Sequence, residues 1–175
     1  MQTYLAITLL SPDVPGLIER ITRPIAQHKC LIHDARIVSL GQQSASALLV
    51  SGSWDRLSRL EIAIKQLASQ HDMALHMVRT EIPSPVEAHL SYAVDIVGLN
   101  TPDMTHQLAQ FFSAQGIRIT DLATMPYSAP NNATPMLTLR MQIEVPANLR
   151  LALLKEAFFD LCDELNLDAT LDPIR

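Results

Sequence analysis

The sequence predicts an α+β fold built as two tandem β-α-β-β-α-β sandwiches, each an antiparallel sheet with its helices on one face. Three observations predict it. The chain aligns with itself at an offset of 87 residues, from Leu5 on Tyr92 to Val38 on Met125, without a gap. Through that stretch apolar residues meet apolar residues: Leu9 falls on Ile96, Leu17 on Met104, Ile21 on Leu108 and Ile25 on Phe112. Within each half, short β-rich runs also alternate twice with runs of helical period. The aligned identities (Ala6/Ala93, Pro15/Pro102, Ile32/Ile119 and Asp34/Asp121) are few, so pattern carries the repeat.

In the first half, Tyr4 to Leu10 reads as a strand, and the turn Ser11-Pro12-Asp13-Val14-Pro15-Gly16 should open a helix. Leu17, Ile18, Ile21 and Ile25 recur at helical spacing. Pro24 lies inside that helix, where its missing N–H predicts a kink or an early end. Ile32 to Leu40 and Ala45 to Gly52 read as a hairpin about Gly41. Ser53 is placed to cap a helix carrying Leu57, Leu60, Ile64 and Leu67, and Met73 to Ile82 reads as the last strand.

The expected domains are 1–82 and 89–175, joined by 83–88, whose two prolines favour an extended linker. The second half repeats the order: Ser91 to Val97, a helix from Asp103 to Gln115, then Ile117 to Met125. Pro126 to Pro135 is expected as a long turn available to a partner, followed by the strand Met136 to Val145. A helix over Ala147 to Leu165 and a short strand over Leu167 to Leu171 complete it. Two consecutive units of this order are ferredoxin-like sandwiches. Units of about 85 residues are marginal alone and leave sheet edges open, so the two halves are expected to pack together or to pair with those of a second chain in a homo-oligomer.

Composition narrows the function. The chain has 175 residues, is 48% hydrophobic and 18% charged, and so is not of the disordered class. Its longest apolar runs fall well short of the ~20 residues of a membrane span. The start, MQTYLAITLL, has no cationic leader, and Asp13 and Pro15 follow soon after, so no signal peptide is expected. Cys30 and Cys162, far apart and without a CxxC spacing, point to a reducing cytoplasm. A net charge of -5 opposes a phosphate backbone, so direct DNA binding is not expected. The six histidines lack ligand spacing, which predicts no metal. No phosphate loop, nucleophile elbow or paired-acid signature appears either, which predicts no enzyme.

The informative segment is Asp13-Val14-Pro15-Gly16-Leu17. A helix starting near Val14 or Pro15 leaves first-turn amides unpaired, and Gly16 lets a small ligand approach them. Those amides offer an anion seat, and the Asp13 carboxylate beside it could hold an ammonium. The pair is complementary to a zwitterionic amino acid. In the second half Asn100, Thr101 and Asp103 occupy the matching turn, and Asp103 puts a carboxylate where Gly16 leaves room. A degenerate second site is the expectation.

Asp-Val-Pro-Gly-Leu after a strand, within this repeated topology, resembles the first turn of an ACT domain. Two ACT-like units with Ser51-Gly52-Ser53-Trp54 leading into the second helix resemble the glycine cleavage system transcriptional repressor family. The resemblance implies a cytoplasmic, non-catalytic, amino-acid-responsive regulator with no cofactor, glycine as a possible effector and a LysR-type activator as partner. It also implies Leu31 and Ile32 as further ligand contacts, at the place of the family's Gly-x-Asn-Ile; this chain reads Lys29-Cys30-Leu31-Ile32 there. Two alternatives stand beside it. A small enzyme of the acylphosphatase kind would need loop amides and an Arg; Arg20 and Arg23 lie past the turn, and Asp13 repels phosphate. A direct nucleic-acid binder would need aromatic residues on the middle strands, which the first half lacks.

Overall fold

The computed structural model describes residues 3–82, 89–130 and 133–174. They fall into two compact units that divide between residues 84 and 85. The expected linker, 83–88, lies outside the described residues.

The first unit runs β1 (Thr3–Pro12), α1 (Leu17–Gln27), β2 (Leu31–Leu40), β3 (Gln43–Gly52), α2 (Trp54–Gln70) and β4 (Ala74–Thr80). The second runs β5 (His89–Leu99), α3 (Met104–Ala114), β6 (Arg118–Ser128), β7 (Pro135–Pro146), α4 (Leu151–Glu164) and β8 (Asp168–Pro173). Each sheet is antiparallel, with order β2-β3-β1-β4 in one unit and β6-β7-β5-β8 in the other. The ferredoxin-like reading holds in both halves.

One face of each sheet is buried under its two helices. On β1 the buried side chains are Leu5, Ile7 and Leu9, which meet Leu17, Ile21 and Ile25 of α1 and Leu57, Leu60 and Ile64 of α2 in one core. The second core repeats this with larger groups. Phe112 and Phe158, both fully buried, stand where the first unit has Ile25 and Ile64, with ring centroids 5.6 Å apart. Ile18 differs from its expected core role: it is 55% exposed, one residue off the buried stripe.

The 87-residue offset is structural as well as sequential. The bulges between Ile32 and Asp34 and between Ile119 and Asp121 coincide under it. All four helices end in the same way, with a residue of positive φ (Lys29, Asp72, Gly116 or Asn166) after the C-cap. The following amide then reaches back five residues: Cys30 to Ile25, Met73 to Ala68, Ile117 to Phe112 and Leu167 to Cys162. These are Schellman ends, and each amide donor and its acceptor also share the core.

Three expectations need correction. α1 continues through Pro24 to Gln27, the same 11 residues as α3, which has no proline, so Pro24 does not shorten it. Ser53 is the N-cap residue of α2 but makes no side-chain cap bond. The 126–135 segment is strand at both ends: Pro126 pairs with Leu137, Tyr127 with Met136 and Ser128 with Pro135. Pro126 is tolerated because β6 is an edge strand, and Pro135 because it begins β7.

The paired aromatic core predicts the cost of opening it. Phe158→Ala is expected to lower the second unit's stability by about 3–5 kcal/mol, measured by denaturant titration. A loss below about 1 kcal/mol would contradict the packing described.

Candidate functional site

The β1–α1 turn differs from its expected form. α1 begins at Leu17, with Gly16 as N-cap at φ 82 and no side-chain cap bond. Pro15 therefore precedes the helix and does not occupy its first turn, and Asp13 does not cap it. The left-handed conformation explains the glycine, because a side chain there costs roughly 1–2 kcal/mol. An added Cβ would meet nothing within 4 Å, so the position is strained for other residues without being crowded.

Two bonds tie the turn to the β2–β3 hairpin. The Asp13 amide donates to the Gln42 carbonyl (3.0 Å), and the Ser39 hydroxyl donates to the Asp13 carboxylate (2.7 Å). Gly41, at φ 64, opens that two-residue hairpin loop. The Leu17 amide bonds to the Val14 carbonyl, and the first full helical bond runs from Arg20 to Gly16. The amides of Ile18 and Glu19 thus belong to the unpaired first turn.

Between turn and hairpin lies a cavity of about 720 Å³. Asp13 to Glu19 and Thr22 line one side, and Ile37, Val38, Ser39 and Ser44 line the other. The structure brings Asp13, Val14, Pro15, Gly16 and Leu17 together. It does not bring Leu31 and Ile32 to them. Leu31 pairs with Ser51, which pairs with Tyr4, at the far end of the sheet from Pro12 and Gln43. Leu31 and Ile32 line a different groove, against the end of α1. The hairpin residues Ser39 and Ser44 were missed, since no spacing rule relates them to Asp13.

In the second unit the Asn100 amide donates to the Pro135 carbonyl, which repeats the bond of Asp13. Asp103, and not Asn100, is the N-cap of α3, at φ -91 and without a side-chain cap bond. The two turns are thus anchored alike and shaped differently.

Elsewhere the chemistry is quiet. Arg23 is held by Glu19 through paired bonds of 2.8 and 2.9 Å. Among the described residues no group of three or more His, Cys, Asp or Glu could hold a metal ion, and no helix is long and apolar enough to cross a membrane. Cys30 and Cys162 are buried free thiols. Burial pushes the Cys162 thiol up to about 11, with Asp163 adding to the rise; burial also raises Cys30, partly offset by Arg56.

Residues 3–78 match the ACT domain family. Over 175 residues the sequence is 29% identical to the glycine cleavage system transcriptional repressor of Escherichia coli (strain K12), covering 99% of this chain and 91% of that protein. The likeness to that repressor runs over both units, whereas the ACT-domain match lies in the first. A crystal structure of a protein proposed to be a glycine cleavage system transcriptional repressor covers 100% of this chain and 99% of its own, with 27% identity and a TM-score of 0.70. An unknown protein from Galdieria sulphuraria shares the fold over its full length, with a TM-score of 0.85 at 15% identity.

The raised thiols give a pH signature. An unfolded thiol ionises near ~8.5, so the native state's hold on these protons stabilises it fully below that pH. Stability should then fall as pH rises from about 9 towards 11, and iodoacetamide at neutral pH should label neither cysteine until the chain unfolds. Rapid native labelling of Cys162 would contradict this.

Proposed function

We propose that this ACT-domain protein is a non-catalytic, amino-acid-responsive regulator of transcription. It binds a small zwitterionic amino acid, glycine or a close relative, at the Asp13–Leu17 turn, and acts by contacting a DNA-binding activator of LysR type. One observation carries the regulatory reading: the likeness to the E. coli repressor runs over both units and not over one domain alone. The turn supports the ligand. Backbone amides of Ile18 and Glu19 take the carboxylate, while Asp13, held by Ser39, takes the ammonium. The net charge of -5 favours action through a protein over direct contact with DNA. By the same reading the protein works in the cytoplasm and assembles as a homo-oligomer through its open edges.

Affinity is bounded by size. Glycine has about five heavy atoms, and the best small ligands reach about 1.5 kcal/mol per atom, which sets a ceiling near 7.5 kcal/mol, or micromolar. Calorimetry should show glycine binding at tens of micromolar or weaker. Gly16→Asp places a carboxylate in the seat and should abolish the signal, at a stability cost of about 1–2 kcal/mol. Asp13→Asn, which keeps the backbone, should weaken binding too, whereas Asp103→Gly should not. Normal binding by a folded Gly16→Asp variant, or loss on changing Asp103, would overturn the assignment. Tight sequence-specific DNA binding by the isolated chain would overturn the indirect mode of action.

A further inference from the structure

Ser39 and Ser44, which line the cavity, belong to a row of serines. Register aligns Ser11 of β1, Ser44 of β3 and Ser39 of β2 across three adjacent strands, directly beneath the start of α1. One register step further along β3, on the same face, is Ser46. Ser39 is engaged by Asp13, and Ser11 makes a long bond of 3.5 Å to the Pro12 carbonyl. Ser44 is only 3% exposed and lines the cavity. Ser46 is equally buried, and its hydroxyl has no hydrogen-bond partner among the described residues.

Buried polar groups are normally paired, because stripping a hydroxyl of water without replacing the bond is costly. The second unit shows that the fold has no need of them. At the positions of Ser11, Ser44 and Ser39 it carries Gly98, Leu137 and Pro126, and Leu139 stands at the place of Ser46. Leu137 and Leu139 are both buried in the apolar core. The same sandwich is therefore built with an apolar floor in one unit and a hydroxyl floor in the other. The hydroxyl floor accompanies the open glycine turn; the apolar floor accompanies Asp103.

Resting on the ligand site proposed above, we propose that Ser44 is a specificity-determining residue that hydrogen-bonds a polar side chain of the ligand. The preferred effectors are then small amino acids bearing a hydroxyl or amide, rather than glycine itself. The carboxylate and ammonium are held by the turn, as for glycine, and the side chain points down to the floor. There the Ser44 hydroxyl donates to an amide carbonyl or exchanges a bond with a ligand hydroxyl.

Paired ligands isolate this bond. Calorimetry on the full chain compares serine with alanine and threonine with valine, each pair differing by the hydroxyl, with glycine as the reference. The expected preference for the hydroxyl member is about tenfold, the effect of one well-made hydrogen bond. Ser44→Ala should collapse that preference to near unity while leaving glycine affinity within about twofold, a split that general damage to the site would not produce. Ser44→Thr, which keeps the hydroxyl, should retain it. If alanine and glycine bind as tightly as serine, or if Ser44→Ala weakens all ligands equally, this inference fails while the ligand site stands. If none of the five amino acids binds, the site and this inference fail together.

Discussion

Everything at the site hangs on the antiparallel pairing of β1 with β3. That pairing, continuous from Thr3 with Gly52 to Pro12 with Gln43, brings the tip of the β2–β3 hairpin to the point where the chain leaves β1. The two bonds of Asp13, to Gln42 and from Ser39, exist only because the hairpin tip is there. The cavity is the space between two segments that the sheet register holds together. Burial fixes the register in turn: a slip of one residue would turn Leu5, Ile7 and Leu9 away from the helices. Packing and site are therefore one constraint seen at two depths.

Duplication separates what the sandwich requires from what the site requires. The bulged second strand, the Schellman helix ends and the amide bond from turn to hairpin occur in both units, so they belong to the fold. The left-handed glycine, the carboxylate three residues before it and the serine row occur in one unit, where local stability gives no reason for them. A second core filled by Phe112 and Phe158, beside a first filled by Ile25 and Ile64, shows that side-chain volume drifts freely within that frame. Buried hydroxyls in place of the second unit's leucines are not drift of that kind.

The fold was legible because sheets and helices write their periods into the apolar residues, and the repeat wrote them twice. The turn was legible in part. Asp13 to Leu17 was found by its residue types, but the helix start was placed two to three residues early, because Pro15 suits a first helical turn and nothing local reports the left-handed φ of Gly16. Leu31 and Ile32 came from family resemblance, and the structure places them at the other end of the sheet from the turn. A β-α-β crossover returns the chain to the end where β1 began, so the start of β2 lies a full strand length from the turn. Ser44 could not be read at all, because a serine on a strand looks solvent-facing until the register shows its neighbours. The strand ends within 126–135 were hidden by prolines, Pro126 on an edge strand and Pro135 at the start of one.

The central claim is that the first turn, and not its copy, seats the ligand. Amide chemical shifts of the isotopically labelled full chain, followed during titration with glycine and then serine, test it most directly. The account predicts saturable shifts at Gly16, Ile18 and Glu19, extending to Ser39 and Ser44, with Asp103, Thr105 and His106 unmoved. Shifts confined to the Asn100–His106 turn, or none at the Gly16 turn at saturating ligand, would contradict it.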